Sequence, residues 1–110
     1  MSPRRFEVLW TEVAIRDLEQ IVDYVAQEAP MAAQRVFDSI AEHSRTLDSL
    51  PLRGRIVPEL AKLEITSYRE LIIPPYRLLY RVSSNRVFVV GVFDSRRNLE
   101  DILLNRVLRD

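Results

Sequence analysis

The stretch YRELIIPPYRLLYRVSSNRVFVVGVF, residues 68–93, decides the fold of this chain. It holds three runs rich in β-branched and aromatic residues, at 68–73, 76–82 and 86–93, divided by Pro74-Pro75 and by Ser83-Ser84-Asn85. Such runs are typical of strands, and such short dividers are typical of turns. The stretch therefore predicts an antiparallel meander of three strands.

Alternation along the middle strand predicts two different faces. One face carries Tyr76, Leu78, Tyr80 and Val82, and the other carries Arg77, Leu79 and Arg81. The third run is apolar at nearly every position, which is typical of a central strand covered on both sides. We therefore expect helices on one side of this strand and another layer on the other.

A short strand and two helices are predicted ahead of the meander. The strand covers residues 6–9, and the first helix follows Thr11 as its N-cap and runs to about residue 28. A second helix follows Pro30 and ends before Pro51. Because few residues join the helices and each has one apolar stripe, we expect an antiparallel hairpin. The stripes consist of Ala14, Leu18, Ile21, Val22 and Val25, and of Ala33, Val36, Phe37, Ile40, Ser44 and Leu47.

The remaining segments complete an α+β chain. Residues 53–67 predict a long connection with one strand turn or short helical turn, and residues 99–108 predict a short helix that is apolar almost all round. A chain of 110 residues is large enough for one core and too small for two, so residues 1–110 are predicted to form one domain.

Composition argues against several classes of protein. The chain has no Cys and a single His, so it has no disulfide framework and no material for a zinc site, and neither a metal nor a cofactor is predicted. Its N-terminus lacks the apolar stretch of a secretory signal, and no segment approaches the length of a membrane span. The expectation is a cytoplasmic protein with no membrane partner.

The net charge of zero hides a segregation along the chain. Residues 1–52 carry 5 basic and 9 acidic side chains, whereas residues 53–97 carry 9 basic and 4 acidic ones. Arginine offers a planar fork of donors suited to phosphate or carboxylate, and tyrosine offers a stacking face. The basic, tyrosine-containing meander therefore predicts a surface for an anionic partner. The structural alternative is that Arg77 or Arg81 forms an internal ion pair with Glu70 or with an acidic residue of a helix.

Several motifs, in this order and spacing, resemble the RelE/ParE superfamily of toxins from type II toxin–antitoxin systems. They are the N-terminal strand, the pattern Ala14/Asp17-Leu18/Ile21/Tyr24, Pro51, Gly54-Arg55, Arg69-Glu70-Leu71, residues 76–82, and Val89-x-x-Val92-x-x-x-Arg96-Arg97. The resemblance covers nearly the whole chain. It implies a helical hairpin packed with the N-terminal strand on a curled antiparallel sheet, followed by a short C-terminal helix.

The resemblance implies one of two activities. RelE-like members cleave mRNA on the ribosome, which here would use Arg55, Arg77, Arg81 and Arg97 around the scissile phosphate. ParE-like members bind and inhibit DNA gyrase without catalytic residues. A third reading is a degenerate, non-toxic module that only pairs with its antitoxin.

The residues favour the ParE-like branch. Asp94 stands where many nucleases of the superfamily carry a His, the C-terminal segment lacks their Tyr, and Lys62 is the only lysine. Arg53 and Arg55 could act as electrostatic clamps, but a guanidinium does not donate its proton. The other acid, base or nucleophile candidates are weak for chemistry: Tyr76 and Tyr80 on the apolar face, His43 on the second helix, and Ser95.

The resemblance also implies partners and the residues that meet them. The partners are a cognate antitoxin and either gyrase or the ribosome with its mRNA, and the assembly is a homodimer or a toxin–antitoxin hetero-oligomer. The residues predicted to bind the target or the antitoxin are Arg69, Arg77, Arg81, Arg96, Arg97, Leu99, Ile102 and Leu103.

Overall fold

A computed structural model describes residues 5–109 of the chain. Within these residues, five strands and four α-helices, with a 3₁₀ turn at Thr46–Asp48, follow one another in a mixed order. In chain order they are β1 Glu7–Trp10, α1 Glu12–Ala26, α2 Pro30–Arg45, β2 Arg55–Ile56, α3 Pro58–Ala61, β3 Tyr68–Ile73, β4 Tyr76–Ser83, β5 Arg86–Asp94 and α4 Glu100–Arg109.

The strands form one sheet in the order β1-β5-β4-β3-β2. Strands β3, β4 and β5 are antiparallel neighbours joined by the two predicted turns, so the meander is confirmed. Strand β1 pairs in parallel with β5, from Glu7 opposite Arg86 to Trp10 opposite Val89. The irregular segment predicted at residues 53–67 contains β2, which extends the sheet beside β3, and the single turn of α3.

The two N-terminal helices form the predicted hairpin and cover one face of the sheet. Helix α1 begins at the predicted cap, where the Thr11 hydroxyl accepts a hydrogen bond from the Ala14 amide at 3.2 Å. The first two residues of its stripe are buried and the other three are partly buried, and most of the α2 stripe is buried. Phe37 is the exception: 44% of its surface is exposed, so its assignment to the inner face of α2 was wrong.

The sheet has an apolar cluster on each side. The larger cluster lies under the hairpin, and the smaller one lies under α3 and α4. The middle strand divides as predicted, because Tyr76, Leu78 and Tyr80 belong to the first cluster and Leu79 belongs to the second. Strand β5 is therefore the covered central strand that its composition predicted.

A bulge in β5 interrupts its regular pairing with β4. The pairing with β4 shifts between Leu79 and Tyr80, which face Gly91 and Val89, so Val90 is the extra residue. A Cβ at Gly91 would lie 2.6 Å from the Phe93 ring, so any other residue at this close approach would have to displace that ring.

No helix within residues 5–109 is both long enough and apolar enough to cross a membrane.

Candidate functional site

Arg77 lies inside an ion-pair network on the second face of the sheet. Its Nη1 and Nη2 donate to the two carboxylate oxygens of Glu59 at 2.6 and 2.7 Å, and its Nε donates to Glu70 Oε1 at 2.6 Å. Arg77 and Glu70 are both buried, and Arg55 closes the network by donating to Glu70 Oε2 at 2.7 Å. The charges of two arginines and two glutamates thus balance one another. The prediction that Arg77 is accessible to a partner was wrong, and the alternative, an internal ion pair, holds for this residue.

The network also shifts the pKa values of Glu59 and Arg77. The two hydrogen bonds from Arg77 lower the pKa of Glu59 from 4.5 to about 2, against the opposing effect of burial. The same bonds raise the pKa of the Arg77 guanidinium above its already high ordinary value. Glu59 is therefore an anion and Arg77 a cation near neutral pH, and the network ties α3 and β2 to the middle of the sheet.

Arg69 and Arg81 bind structural groups of the chain. The Arg69 Nη1 donates to the carbonyl of Gly54 at 2.8 Å and more weakly to that of Leu52 at 3.4 Å, which holds the segment before β2 against β3. The Arg81 guanidinium lies 4.6 Å from the centre of the Phe88 ring, a cation–π contact on the same face as Arg77. Both side chains are partly exposed, and neither forms a salt bridge within residues 5–109.

The end of β5 carries the two consecutive arginines. Arg96 binds Asp94 through two charged hydrogen bonds of 2.9 and 2.6 Å, and these lower the pKa of the Asp94 carboxyl from 3.8 to about 2. Arg97 is exposed, lies near enough to Asp94 to contribute to the same shift, and makes no salt bridge in the described part of the chain. Arg97 is therefore an exposed cation that no salt bridge within residues 5–109 neutralises.

The C-terminal helix is a layer of the core. Leu99 and Leu103 are buried among Leu79, Val90 and Phe93, and Ile102 packs against the same cluster. The structure therefore does not present Leu99 and Leu103 to a partner, contrary to the expectation for these two residues, because α4 covers the sheet face that would otherwise be open.

Arg106 anchors this helix to α1 across the edge of β5. Its Nη1 donates to Asp17 Oδ2 and to the Val90 carbonyl, both at 2.8 Å, while its guanidinium lies 5.0 Å from the centre of the Phe93 ring. Asp17 in turn accepts from the Val92 amide at 3.2 Å. Sequence reasoning missed this pair, although two signals were present: an acidic residue on the inner stripe of α1 and a basic one in an apolar helix.

An open groove of about 430 Å³ lies between α1 and the last residues of β5. Gln20, Ile21, Tyr24 and Val25 form its helical wall, and the opposite wall is formed by Tyr76, Val92, Phe93 and Asp94, with Asp17, Arg96 and Arg97 at the margin. The groove gathers two of the predicted partner-binding residues, Arg96 and Arg97. The other predicted arginines lie on β3 and β4, and the structure does not bring them to this groove.

The remaining candidates for chemistry have structural environments. Tyr76 and Tyr80 are buried in the first cluster, where burial raises the pKa of each phenol, and the Tyr80 hydroxyl accepts from the Gly54 amide at 2.9 Å. The His43 Nδ1 donates to the Ser39 carbonyl at 2.7 Å within α2, and Ser95 Oγ donates to the Pro75 carbonyl. No cluster of three potential metal ligands is found among residues 5–109.

Comparison with known proteins defines the class of this small α+β fold. The profile of the ParE toxin of the type II toxin–antitoxin system parDE matches residues 8–99. Toxin RelE2 of Caulobacter vibrioides is 35% identical over 92 residues, which cover 83% of this chain and 97% of that protein. The chain belongs to the ParE toxin family, within the RelE/ParE superfamily of toxins from type II toxin–antitoxin systems.

Solved structures share the fold. A chain of the chromosomal ParDE toxin–antitoxin system from P. aeruginosa superposes with a TM-score of 0.69 at 21% identity, covering 83% of this chain and 97% of that one. A chain of the RelBE2 toxin–antitoxin complex from Mycobacterium tuberculosis superposes with a TM-score of 0.59 at 24% identity, covering 82% and 91%. The strand and helix arrangement predicted from the resemblance is thus confirmed.

Proposed function

We propose that this toxin inhibits DNA gyrase by binding to it, and that a cognate antitoxin holds the toxin inactive in the cytoplasm. The match to the ParE family supports the inhibition of gyrase. The same family belongs to type II toxin–antitoxin systems, which supports the cognate antitoxin. One observation carries the choice of gyrase over mRNA: the four arginines considered for RNA cleavage do not share one accessible site.

The distribution of those arginines argues against a phosphate-cleaving centre. Arg55 and Arg77 are neutralised by Glu59 and Glu70, and Arg97 lies at the groove beside α1. Electrostatic stabilisation of a reacting phosphate needs several cations aimed at one point. Because Arg55 and Arg77 are already paired with carboxylates, they would stabilise the charge of a phosphate only weakly.

A suitable proton donor is also missing from the candidate groups. Cleavage by a 2′-hydroxyl needs a base and an acid whose pKa values lie near the working pH. Asp94, at the position where the resemblance implies a His in many nucleases, has its pKa lowered to about 2 by Arg96 and stays anionic. The buried phenols of Tyr76 and Tyr80 shift in the opposite direction, away from neutral pH.

Two assays with the same antitoxin-free protein test the proposal. Purified gyrase with supercoiled plasmid is expected to accumulate cleaved DNA as toxin is added, and an mRNA in a reconstituted translation reaction is expected to stay intact. Arg97→Ala is compared with the unaltered toxin in the gyrase assay, and Arg86→Ala is its matched control. Arg86 is also exposed, but it pairs with Glu7 at the opposite end of β5. Intact plasmid together with a cut transcript would refute the gyrase proposal.

The second candidate is a ribosome-dependent endoribonuclease, which the 35% identity to a protein named Toxin RelE2 favours. In that case Arg81→Ala is expected to reduce cleavage with only a small loss of thermal stability, since Arg81 is partly exposed and makes a cation–π contact with Phe88 but no salt bridge within residues 5–109. A protein that affects neither gyrase nor mRNA when freed of its partner would be the degenerate antitoxin-binding module.

A further inference from the structure

We propose that the turn at residues 50–53, together with Arg69, docks on a surface of gyrase that carries carboxylates beside apolar side chains. The inference rests on the proposed function, because it takes gyrase as the partner. It adds the surface of this chain that meets gyrase and the chemistry that gyrase must offer there. The turn leads into β2 at the edge of the sheet, and none of its residues lines the groove beside α1.

Arg53 and Arg69 are held at the turn by neutral groups. The Arg69 Nη1 donates to the carbonyls of Leu52 and Gly54, at 3.4 and 2.8 Å. These two residues flank Arg53 in the sequence, and the Arg53 Nη1 donates to the Thr46 hydroxyl at 2.7 Å. Neither guanidinium forms a salt bridge within residues 5–109, so neither charge is compensated there.

The carboxylates next to these arginines in the sequence are already paired. Asp48, which precedes the turn, accepts from Arg5 at 2.8 Å. Glu70, the neighbour of Arg69 on β3, accepts from Arg55 at 2.7 Å on the opposite face of the sheet. A partner molecule with carboxylates would therefore compensate the charges that the turn presents, through charge-assisted hydrogen bonds.

The two arginines act on one buried hydroxyl. Burial raises the pKa of the Tyr80 phenol, and the charges of Arg69 and Arg53 oppose that rise. The same hydroxyl accepts a hydrogen bond from the Gly54 amide at 2.9 Å. The two guanidiniums thus lie around one point at the base of the turn, where their fields add.

Exposed apolar side chains accompany the two charges. Leu50 is 59% exposed and Leu52 is 63% exposed, with the partly buried Pro51 between them. Ile56 is 38% exposed and lies on the same face of the sheet as Arg69, its partner across β2 and β3. A protein laid over the turn would bury this apolar surface beside arginine, a residue type that is enriched at interfaces.

Hydrogen bonds hold the turn in one shape. The Leu50 amide donates to the Thr46 carbonyl at 3.1 Å, and the Arg53 amide donates to the Leu50 carbonyl at 3.2 Å. Gly54 closes the turn against the sheet, since a Cβ there would lie 2.6 Å from the Tyr80 hydroxyl. A turn that is already ordered loses little conformational entropy on binding, which favours its use as a rigid contact.

A nucleic acid or an extended peptide suits this surface less well. Binding to a nucleic-acid backbone normally uses several cations along its path, whereas here two lie together beside exposed leucines. An extended peptide adds to a sheet edge, and the edge strand β2 has only two residues. A folded protein surface with carboxylates and apolar side chains matches both the charges and the leucines of the turn.

Calorimetric titration of antitoxin-free toxin into purified gyrase that holds a short duplex DNA tests the inference. Arg53→Glu and Leu52→Ser are each expected to raise the Kd about tenfold or more, as for a residue at the centre of an interface. Arg35→Glu and Met31→Ser are the matched controls, because Arg35 is an exposed arginine on α2 and Met31 is 77% exposed on the same helix. The controls are expected to change the Kd less than about twofold.

Salt separates the charged contact from the apolar one. Raising the ionic strength from about 0.05 to about 0.3 M is expected to weaken binding of the unaltered toxin and of Leu52→Ser, and to affect Arg53→Glu less, because that variant has lost the attraction. The same salt dependence in both variants would contradict an acidic partner surface.

Circular dichroism and the Tm show whether each variant folds as the original protein does. Leu50→Ser, at a similarly exposed position, replaces a turn variant whose Tm falls. Folded turn variants that bind gyrase as tightly as the controls do would overturn the inference while leaving the proposed function intact.

Two other results are distinguishable from that one. If the unaltered toxin does not bind gyrase, the proposed target is wrong and the inference falls with it. If the turn variants lose as much affinity for the duplex alone, or lose affinity for the purified antitoxin and keep it for gyrase, the turn has another occupant and the inference is overturned.

Discussion

Asp17 of α1 and Arg106 of α4 form an ion pair across 89 positions of sequence, with 2.8 Å between Oδ2 and Nη1. The pair lies where β5 continues beyond its partner strand β1. It binds a carbonyl and an amide of β5 that no strand of the described part of the chain reaches. One ion pair thus joins the first helix, the central strand and the last helix. Both side chains are mostly buried, so their removal should lower the stability of the whole fold.

Asp17→Ala and Arg106→Ala are each expected to lower the free energy of unfolding by about 2–4 kcal/mol, because each leaves a mostly buried charge unpaired. The double variant should lose less than the sum of the two, with a coupling of about 1–3 kcal/mol. Urea denaturation of the four proteins at pH 7 measures both quantities. Exactly additive losses would mean that the two side chains act independently.

Glu7 and Arg86 provide the control for that cycle. They also join distant elements, with 3.1 Å between Oε1 and Nε, but their side chains are more than half exposed. Exposed ion pairs contribute little, so the same cycle on this pair should give a coupling below about 1 kcal/mol.

Arg77→Met is expected to destabilise the protein more than any other single replacement of an arginine, by about 3–5 kcal/mol. The change leaves the buried Glu70 with Arg55 as its ion-pair partner and removes the two hydrogen bonds that Glu59 accepts from Arg77. Adding Glu70→Leu should recover part of the loss, since an apolar pair avoids the buried charge. Thermal denaturation shows this as a Tm that rises from the single to the double variant.

Acid should weaken the same network. Arg77 lowers the pKa of Glu59 to about 2, below its ordinary value of 4.5, so the unfolded chain takes up a proton more readily than the folded one. This contribution to stability is complete above pH 4.5 and is lost as the pH falls towards 2. Urea denaturation from pH 7 to pH 3 should show the decline, and Glu59→Gln should make it shallower. An unchanged slope in Glu59→Gln would assign the decline to other carboxylates, of which Asp94 is one.

Local sequence patterns predicted the strands and helices, whereas contacts between distant residues determine which arginines are accessible. The meander at residues 68–93 and the cap at Thr11 follow from alternation and turn residues, which need no knowledge of the rest of the chain. The burial of Arg77 depends on Glu59, which arrives through a one-turn helix that periodicity cannot detect. Counting arginines on a strand therefore overestimated the accessible positive charge, because the partner carboxylates come from other elements.

Gly54→Ala should cost roughly 1–3 kcal/mol of stability, as for other overpacked sites. A Cβ at Gly54 would lie 2.6 Å from both the Glu70 carbonyl oxygen and the Tyr80 hydroxyl. The backbone oxygen cannot move without disturbing β3, and the phenol would lose its hydrogen bond from the Gly54 amide. Chemical denaturation measures the loss, with Ser49→Ala, at an exposed position outside the strands, as the comparison. A variant as stable as that comparison would show that the segment before β2 can shift freely.

Removal of residues 99–110 should unfold the protein, because Leu99 and Leu103 complete the cluster beneath α4. Leu103→Ala alone is expected to cost about 2–5 kcal/mol for the cavity it creates. Leu108, 74% exposed on the same helix, offers a cleaner test of partner contact: Leu108→Ser should leave the Tm nearly unchanged. Growth inhibition by this variant, measured beside its Tm, separates contact with a target from support of the core. A truncated chain that keeps a cooperative unfolding transition would show instead that α4 is dispensable for folding.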